Sequence, residues 1–426
     1  MVKIIVDFFA IALSKKSRVD GRLLLLLFLS LYFLPILFVV AANNKQLWEA
    51  WWIYPVVPKM LPAFADMRVI TAGYECFRQG YKVVIENPCD PWNRPMNYPA
   101  IWLLPSALGI NTSHTVLLGA LLGLLFFLCF FLWIGRLNYS KAIVYAAILL
   151  SPAVMLAVER GNNDLVIFSL LSVALLIMRF QSASRRVLAY GAILFAALLK
   201  LYPFFALLTV IREKKRIFIV FFLTALSLFS LYIFSNFEYI NLAIKTTQKA
   251  SFFSYGRKVI FNIAAKSIAP GSSFYPSPTV RNWCSIVSIL LVIFLALLAA
   301  KKMIARNRQL EIKNQLSLDG FRVSAGIYLS TFALGNNWDY RLIFLIFAIP
   351  QILRWIESRG PLAETSTFAL IGIVLTSWLS LAIDRYSYAD EIVNWLLFFY
   401  FTYATILTLP DWLKSVLSLH SKIETK

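Results

Sequence analysis

The sequence predicts an all-α polytopic membrane protein with about 12 membrane helices, some of them short or broken. Hydrophobic residues make up 60% of the 426-residue chain and charged residues only 15%, whereas a soluble domain is about half apolar and about a quarter charged. A net charge of +20 would suggest nucleic-acid binding in a soluble protein. Here the Lys and Arg residues cluster between apolar runs, as membrane topology requires, so we expect membrane lipids and no nucleic acid as partners.

The first membrane span is predicted at residues 23–42, an apolar run long enough to cross a bilayer. No small-residue cleavage site follows it, which distinguishes it from a cleavable signal peptide. Basic residues precede it, so we place the N-terminus in the cytoplasm. An even number of crossings then places the C-terminus there as well. Further spans are predicted at residues 115–134, 142–157, 163–180, 187–199, 202–211, 217–235, 283–300, 322–334, 341–355, 365–382 and 391–409.

The spans at 187–199 and 202–211 are short and are flanked on both sides by basic clusters. If both clusters face the cytoplasm, the chain between them crosses the membrane an even number of times. About 25 residues are too few for two full spans at about 1.5 Å per residue. We therefore predict two short helices that meet at Lys200–Pro203, where Pro203 interrupts the backbone hydrogen bonds. One long, strongly tilted helix is the alternative.

The whole chain, residues 1–426, is predicted to form a single integral membrane domain with two large external segments. The first external loop covers residues 43–98 and contains an amphipathic helix at 62–80. Cys76 and Cys89 share this loop and either pair in an oxidising compartment or remain free. The other predicted surface segments are a second external loop at 236–282, a re-entrant or interfacial helix at 99–110 and a cytoplasmic amphipathic tail at 411–426.

Unusual polar residues stand at the outer ends of the predicted spans. Charged groups near lipid are costly and are functional candidates, so their position on one side predicts a single polar cavity that opens outward. Each group also has a structural interpretation: a helix-dipole contact for the first aspartate, helix capping for the asparagines, snorkelling for the lysine and a simple hairpin for the late turn. The candidates are Asp66, Glu159–Asp164, Lys200 with Tyr202, Gly335–Arg341 and Asp384–Arg385.

A carboxylate at a membrane-facing cavity, with cations nearby, suits group transfer from a lipid phosphate. Arg or Lys neutralises the leaving phosphate, and the carboxylate takes the proton of the acceptor hydroxyl. With four cysteines and two histidines in the chain, a His-built metal centre is not expected.

Five sequence elements follow one another in an order that resembles glycosyltransferase family 87. They are Asp66, Tyr98-Pro99, Arg160-Gly161-Asn162-Asn163, Leu199-Lys200-Leu201-Tyr202-Pro203 and Trp338-Asp339-Tyr340. That family includes the polyprenol-phosphate-mannose-dependent α-1,2-mannosyltransferases and belongs to the glycosyltransferase-C superfamily. The resemblance implies a glycosyltransferase-C-like helix bundle. It also implies an inverting transferase, without metal or cofactor, that takes its sugar from a polyprenyl monophosphate.

The resemblance also implies roles for individual residues. Asp66 matches the first-loop aspartate that acts as general base, and Lys200 and Arg160 are assigned to the donor phosphate. Met67 follows Asp66 where protein-mannosyltransferase relatives carry a second acid, which argues against that sister group. Near the late Trp the family often carries a His, whereas this chain has an aspartate and a tyrosine. The expected substrate-binding residues are Arg160, Asn162, Asn163, Lys200, Tyr202, Trp338, Asp339, Tyr340 and Arg341.

The resulting hypothesis is a hexosyltransferase-type enzyme of the cell envelope. It would move a hexosyl (mannosyl-like) or pentosyl unit from a polyprenyl-phosphate-sugar donor to a glycolipid or polysaccharide acceptor. Its site would face away from the cytoplasm in a multi-pass protein of the plasma (inner) membrane. Two other functions fit the same residues: a transporter or flippase of a lipid-linked sugar, and a non-catalytic subunit of an envelope-polysaccharide complex.

Overall fold

The computed structural model describes residues 2–14, 19–41, 45–52, 57–180, 182–247, 253–266, 268, 272, 275–306, 314–382 and 387–416. Most of these residues are helical, as the sequence predicts. The chain divides into two compact units. We call residues 17–207 with 221–249 the N-terminal unit, and residues 1–16, 208–220 and 250–426 the C-terminal unit. The expectation of a single membrane domain stays a prediction.

The N-terminal unit has a layer of apolar helices in which Asp164–Met178 packs against Thr115–Trp133 and Ala183–Leu199. The 3-10 helix Tyr202–Arg212 and the α-helix Lys215–Ser235 belong partly to each unit. The other helices of this unit are Gly21–Ala41, Lys45–Trp51, Ala65–Arg78, Tyr139–Leu149, Pro152–Arg160 and Phe237–Thr246, with 3-10 helices at Ala100–Leu108 and Thr112–His114.

In the C-terminal unit, helix Val2–Ser14 packs against Ile349–Glu357 and Ala363–Ala382. Two short strands, Ser254–Tyr255 and Asn337–Trp338, pair antiparallel with Ser254 opposite Trp338. The remaining helices are Val259–Lys266, Pro278–Ala305, Gln315–Leu334, Ser387–Leu407 and Asp411–Val416, with a 3-10 helix at Asp339–Ala348.

Three helices of the described chain are long and apolar enough to cross a bilayer: Thr112–Trp133, Lys215–Ser235 and Pro278–Ala305. The bent pair Tyr139–Leu149 and Pro152–Arg160 makes a fourth if it is counted as one span. Shorter apolar helices stand at other predicted spans, for example Asp164–Met178. About 12 crossings therefore stay a prediction.

The predicted break between two short helices is present. One helix ends at Leu199, Lys200 adopts an extended conformation, and the 3-10 helix begins at Tyr202. The predicted span at 142–157 is a bent pair of helices rather than one straight helix, because the chain bends by 55° between Leu149 and Pro152. Pro152 lacks the N–H that a continuous helix needs.

Other boundaries differ from the prediction. The first-loop helix begins at Ala65 rather than at residue 62, and the predicted span 341–355 is a 3-10 helix followed by an α-helix. The loop 236–282 contains two helices and one of the strands, although the sequence pattern predicted neither. Asp384 and Arg385, and the tail beyond Val416, lie outside the described residues.

Candidate functional site

The first external loop is a compact structure that carries the candidate base. Cys76 and Cys89 form a disulfide, which closes one end of helix Ala65–Arg78 against the turn-rich segment after it. Asn87 donates from Nδ2 to the carbonyl of Val69 at 3.3 Å. Residues Val69, Ile70, Tyr74, Cys76, Val83 and Met96 form a small buried core. The loop is therefore folded rather than a loose connection.

Asp66 lies in the first turn of this helix, where Arg94 contacts it. Arg94 Nη1 lies 3.7 Å from Asp66 Oδ1, and Arg94 Nη2 donates to the Ala65 carbonyl at 2.6 Å. The same guanidinium donates two hydrogen bonds of 3.0 Å to the buried carboxylate of Asp90. Such a bidentate pair fixes the guanidinium plane, so the turn that carries Arg94 holds the position of the Asp66 carboxylate.

Asn162 makes the second contact with the Asp66 carboxylate. Its Nδ2 donates to Asp66 Oδ2 at 2.6 Å, and its Oδ1 accepts from the Asp164 backbone N–H at 2.8 Å. Asn162 is brought close by Gly161, whose φ of 56° is left-handed. A Cβ at Gly161 would lie 3.1 Å from the Cβ of Met67, so the turn approaches the Asp66 helix more closely than a larger residue allows.

Asp66 Oδ1 and Oδ2 consequently differ. Oδ2 is held by Asn162, while Oδ1 has the 3.7 Å ion-pair contact with Arg94 and no hydrogen bond among the described residues. The side chain is 20% exposed, which leaves it reachable from outside. Oδ2 is anchored by a hydrogen bond, whereas Oδ1 has only the longer ion-pair contact, an arrangement that suits a carboxylate accepting a proton from a bound hydroxyl.

Lys200 lies at the break between the two short helices and is buried. Its ammonium pairs with Asp164 and lies 3.5 Å from Asn162 Oδ1. It also lies over the ring of Tyr98, 5.6 Å from the centroid. Tyr202 donates from its hydroxyl to Asp164 Oδ1 at 2.8 Å. The extended backbone after Leu199 thus places Lys200 and Tyr202 on the same carboxylate.

Asn162 joins these two groups into one connected network, because it contacts Asp66 through Nδ2 and Lys200 through Oδ1. The network runs from Arg94 through Asp66 and Asn162 to Lys200. The Asp66 carboxylate lies beside the Arg94 guanidinium, and the Lys200 ammonium lies beside the Asp164 carboxylate. The buried Lys200–Asp164 pair interacts more strongly than it would in water. Nearby, burial lowers the pKa of the Arg68 guanidinium, although the charge of Asp90 opposes that shift.

Arg160 and Asn163 are surrounded by protein groups, and their predicted contact with the substrate stays a prediction. Arg160 donates to the carbonyl of Pro58 at 2.7 Å and pairs with buried Glu159 at 3.3 Å. Glu159 in turn accepts from the Met60 backbone N–H at 2.9 Å. Arg160 and Glu159 therefore fix the position of the backbone at Pro58 and Met60, which leads to the Asp66 helix. Asn163 is fully buried, and neither atom of its amide has a hydrogen-bond partner among the described residues.

The late candidates belong to the C-terminal unit. Asp339 is buried and its backbone N–H donates to the Phe253 carbonyl at 2.9 Å, while Arg341 donates to the side chain of Asn337. The rings of Trp338 and Tyr340 stack nearly parallel, with centroids 6.1 Å apart. These residues are therefore fixed by the two-stranded pairing.

A close backbone approach makes that pairing possible. Gly256 has a φ of 134°, and a Cβ there would lie only 1.7 Å from the Gly335 carbonyl oxygen. Any side chain at Gly256 would push the two segments apart. Because the strands are widely separated in sequence, no local pattern predicts this contact.

Arg94, which belongs to the network, was not among the predicted substrate contacts. Neither were three residues that contact its members: Asp90, Asp164 and Tyr98. Asp164 directly follows the Asn pair, and the spacing of Asp90 and Arg94 in a turn-rich stretch is a weak signal for an ion pair. No three His, Cys, Asp or Glu side chains in the described part of the chain are grouped to hold a metal ion.

Comparison with curated proteins and with solved structures found no match. Residues 98–318, just over half of the chain, match the family described as Glycosyltransferase family 87. The matched range includes Asn162 and Lys200, whereas Asp66 and Trp338–Arg341 lie outside it. The helical fold, the apolar helices and this match together show that the chain is a membrane glycosyltransferase that belongs to glycosyltransferase family 87.

Proposed function

We propose that the protein transfers a hexosyl (mannosyl-like) or pentosyl unit from a polyprenyl-phosphate-sugar to an acceptor hydroxyl, with inversion at the anomeric carbon. The observation that carries this proposal is the hydrogen-bonded connection from Asp66 through Asn162 to Lys200. It places a carboxylate and an ammonium on opposite sides of one amide. A base for the acceptor and a cation for the departing phosphate are the two groups that a direct displacement requires.

In the proposed step, Asp66 Oδ1 takes the proton of the acceptor hydroxyl as the hydroxyl oxygen attacks the anomeric carbon. The bond between that carbon and the phosphate oxygen breaks, and the polyprenyl phosphate departs with the bonding electron pair. Positive charge develops at the anomeric carbon during this exchange, so the nearby carboxylate also stabilises the transition state electrostatically. Attack from the face opposite the phosphate inverts the configuration.

Lys200 and Tyr202 are the proposed donors to the phosphate. Both contact Asp164 in the structure, so binding of a phosphate would require Asp164 to share them. Asp164 is itself anchored at the start of helix Asp164–Met178, and it keeps the lysine oriented when no phosphate is present. We assign Arg160 a positioning role, because Pro58 and Glu159 already hold its guanidinium.

The proposed site faces away from the cytoplasm, in a multi-pass protein with about 12 crossings and both termini inside. The disulfide between Cys76 and Cys89 supports this side, because disulfides persist in oxidising compartments. Substrate contact by the late turn, Trp338–Arg341, is proposed from the sequence resemblance alone. The acceptor would be a glycolipid or a polysaccharide.

The test is a transfer assay with the purified protein in lipid nanodiscs and a panel of polyprenyl-phosphate hexoses and pentoses. We expect one donor to release polyprenyl phosphate only when an acceptor is present, together with a glycosylated product of inverted linkage. Donor passage across a sealed vesicle without transfer would contradict the proposal and favour a flippase. Donor binding without release, by the isolated protein, would favour a non-catalytic subunit.

A further inference from the structure

The N-terminal unit contains an apolar cavity next to the Asp66 end of the site. It lies between helices Gly21–Ala41 and Thr115–Trp133, and its volume is about 200 Å³. No charged side chain lines it among the described residues, and Ser30 supplies the hydroxyl in its wall. For comparison, an engineered apolar cavity of about 150 Å³ stays dry and binds benzene. The cavity therefore has room for a segment of hydrocarbon chain.

Phe64 connects this cavity to the catalytic network. Its ring lines the cavity, contacts the Trp48 ring at 5.4 Å and lies two residues before Asp66. Phe64 adopts a left-handed backbone with φ 57°, which is unusual for a residue with a bulky side chain. A Cβ at Gly119 would lie 2.4 Å from Phe64 Cγ, so the glycine allows the ring to lie directly on the helix.

The cavity lies next to Asp66, the proposed base, and not next to Lys200. Its lining includes Phe64 and Val158, which precede Asp66 and Glu159, but no residue from the break at Lys200. In the proposed function the acceptor hydroxyl meets Asp66 and the donor phosphate meets Lys200. A chain that lies in this cavity is therefore placed to belong to the molecule at the Asp66 end.

The rim of the cavity faces apolar surroundings. Leu26, Leu34 and Leu124 line it and are about half exposed or more. Exposed leucines on membrane helices contact lipid tails, so a hydrocarbon chain reaches the cavity from the bilayer without passing through water. An apolar wall that ends beside a polar network matches an amphiphile, with its chain in the cavity and its hydroxyl-bearing head at the carboxylate.

We propose that the acceptor is lipid-linked and that a segment of its hydrocarbon chain occupies this cavity, an inference that rests on the proposed function. The occupant is the acceptor's chain rather than the donor's polyprenyl chain or a bulk lipid. A free polysaccharide would leave the cavity unused.

Gly123 offers a direct test. It lines the cavity, and a Cβ there would meet only a Val158 methyl group, at 3.8 Å. Gly123→Leu adds side-chain volume to the cavity wall at a position where the Cβ meets no backbone atom, and it favours the helix. Gly191→Leu is the matched control, because a Cβ at Gly191 meets nothing within 4 Å and Gly191 lies away from the cavity.

The assay compares methyl and octyl mannosides as acceptors in nanodiscs, with the donor that supports transfer. Burial of each methylene favours binding by about four-fold when it is complete, so we expect the octyl mannoside to have a kcat/KM at least about ten-fold higher in the wild type. Enrichment of octyl chains in the bilayer raises the octyl-to-methyl ratio of kcat/KM in every variant. The contribution of the cavity is the part of this ratio that is lost in Gly123→Leu and retained in Gly191→Leu. Equal ratios in all three proteins would overturn the proposal while leaving transfer itself established.

Photolabelling tests the cavity independently of turnover. A mannoside whose alkyl chain ends in a diazirine should label peptides from Gly21–Ala41 or Thr115–Trp133, and Gly123→Leu should reduce that labelling. Excess octyl mannoside should compete, and excess polyprenyl phosphate should not. Competition by polyprenyl phosphate would assign the cavity to the donor and overturn the proposal, as would labelling that no mannoside displaces. If no donor supports transfer, the proposed function fails, and this labelling still decides the occupant.

Discussion

Replacement of Asn162 should slow transfer, because Asn162 holds Oδ2 of Asp66 and thereby orients Oδ1, the oxygen proposed to act as the base. Its 2.6 Å hydrogen bond is made to a carboxylate, and hydrogen bonds to charged groups contribute about 1.5–3 kcal/mol. If that contribution supports the transition state in full, Asn162→Ala lowers kcat by about 10-fold to 150-fold, since 1.36 kcal/mol corresponds to a factor of ten.

Asn162→Ala also removes the acceptor for the Asp164 backbone N–H, so it lowers stability by about 1 kcal/mol as the loss of a cap does. Asn162→Asp separates the two effects. It keeps an oxygen for the Asp164 N–H but cannot donate to Asp66, and it places a second carboxylate beside the first. We expect its kcat to fall at least as far as that of the alanine variant, with a smaller loss of thermal stability.

The measurements are kcat and donor KM from the nanodisc assay, together with the thermal unfolding midpoint of each variant. Asn138→Ala is a suitable control, because Asn138 caps helix Tyr139–Leu149 through the Lys141 N–H at 2.9 Å and is not part of the network. The reasoning is refuted if Asn162→Asp is folded and retains kcat within two-fold of wild type.

Three further predictions concern the same unit. The double variant Cys76→Ala with Cys89→Ala should destabilise the first external loop by about 3 kcal/mol and reduce transfer. Thermal unfolding and the transfer assay measure these effects, and an unchanged unfolding midpoint would contradict a stabilising role of the disulfide. Lys200→Met should leave the buried Asp164 carboxylate without its ammonium partner, at a cost of about 3–5 kcal/mol, and should raise the donor KM. Adding Asp164→Asn to Lys200→Met should restore stability but not donor affinity. Thermal unfolding and a donor titration of the double variant measure the two effects. Transfer should persist in EDTA, and a loss that Mg²⁺ restores would contradict the metal-independent mechanism.

The break at Lys200–Pro203 was predictable because two local constraints met there: flanking basic clusters and a proline in a run too short for two spans. The bend before Pro152 was missed although Pro152 is visible in the sequence, because the apolar run continues across it. Hydropathy reports which residues tolerate lipid, and it does not report where a backbone turns.

The candidate residues of the site could be named from the sequence, but the contacts between them could not. Asp66, Asn162 and Lys200 were candidates, but the sequence could not show that one amide contacts both others. Arg94 was missed because its contact with Asp66 depends on a folded turn and a disulfide. Pairing of Ser254 with Trp338 was likewise beyond reach, since strands of two residues have no detectable period.

The most direct test of the central claim is the chemistry of Asp66→Asn, with Glu75→Gln on the same helix as the matched acid-to-amide control. Glu75 accepts hydrogen bonds from Thr112 and lies outside the network. We predict that Asp66→Asn binds the polyprenyl-phosphate donor like the wild type, yet forms no glycosylated product, while Glu75→Gln remains active. Product formation by folded Asp66→Asn at the wild-type rate would contradict the assignment of Asp66 as the base.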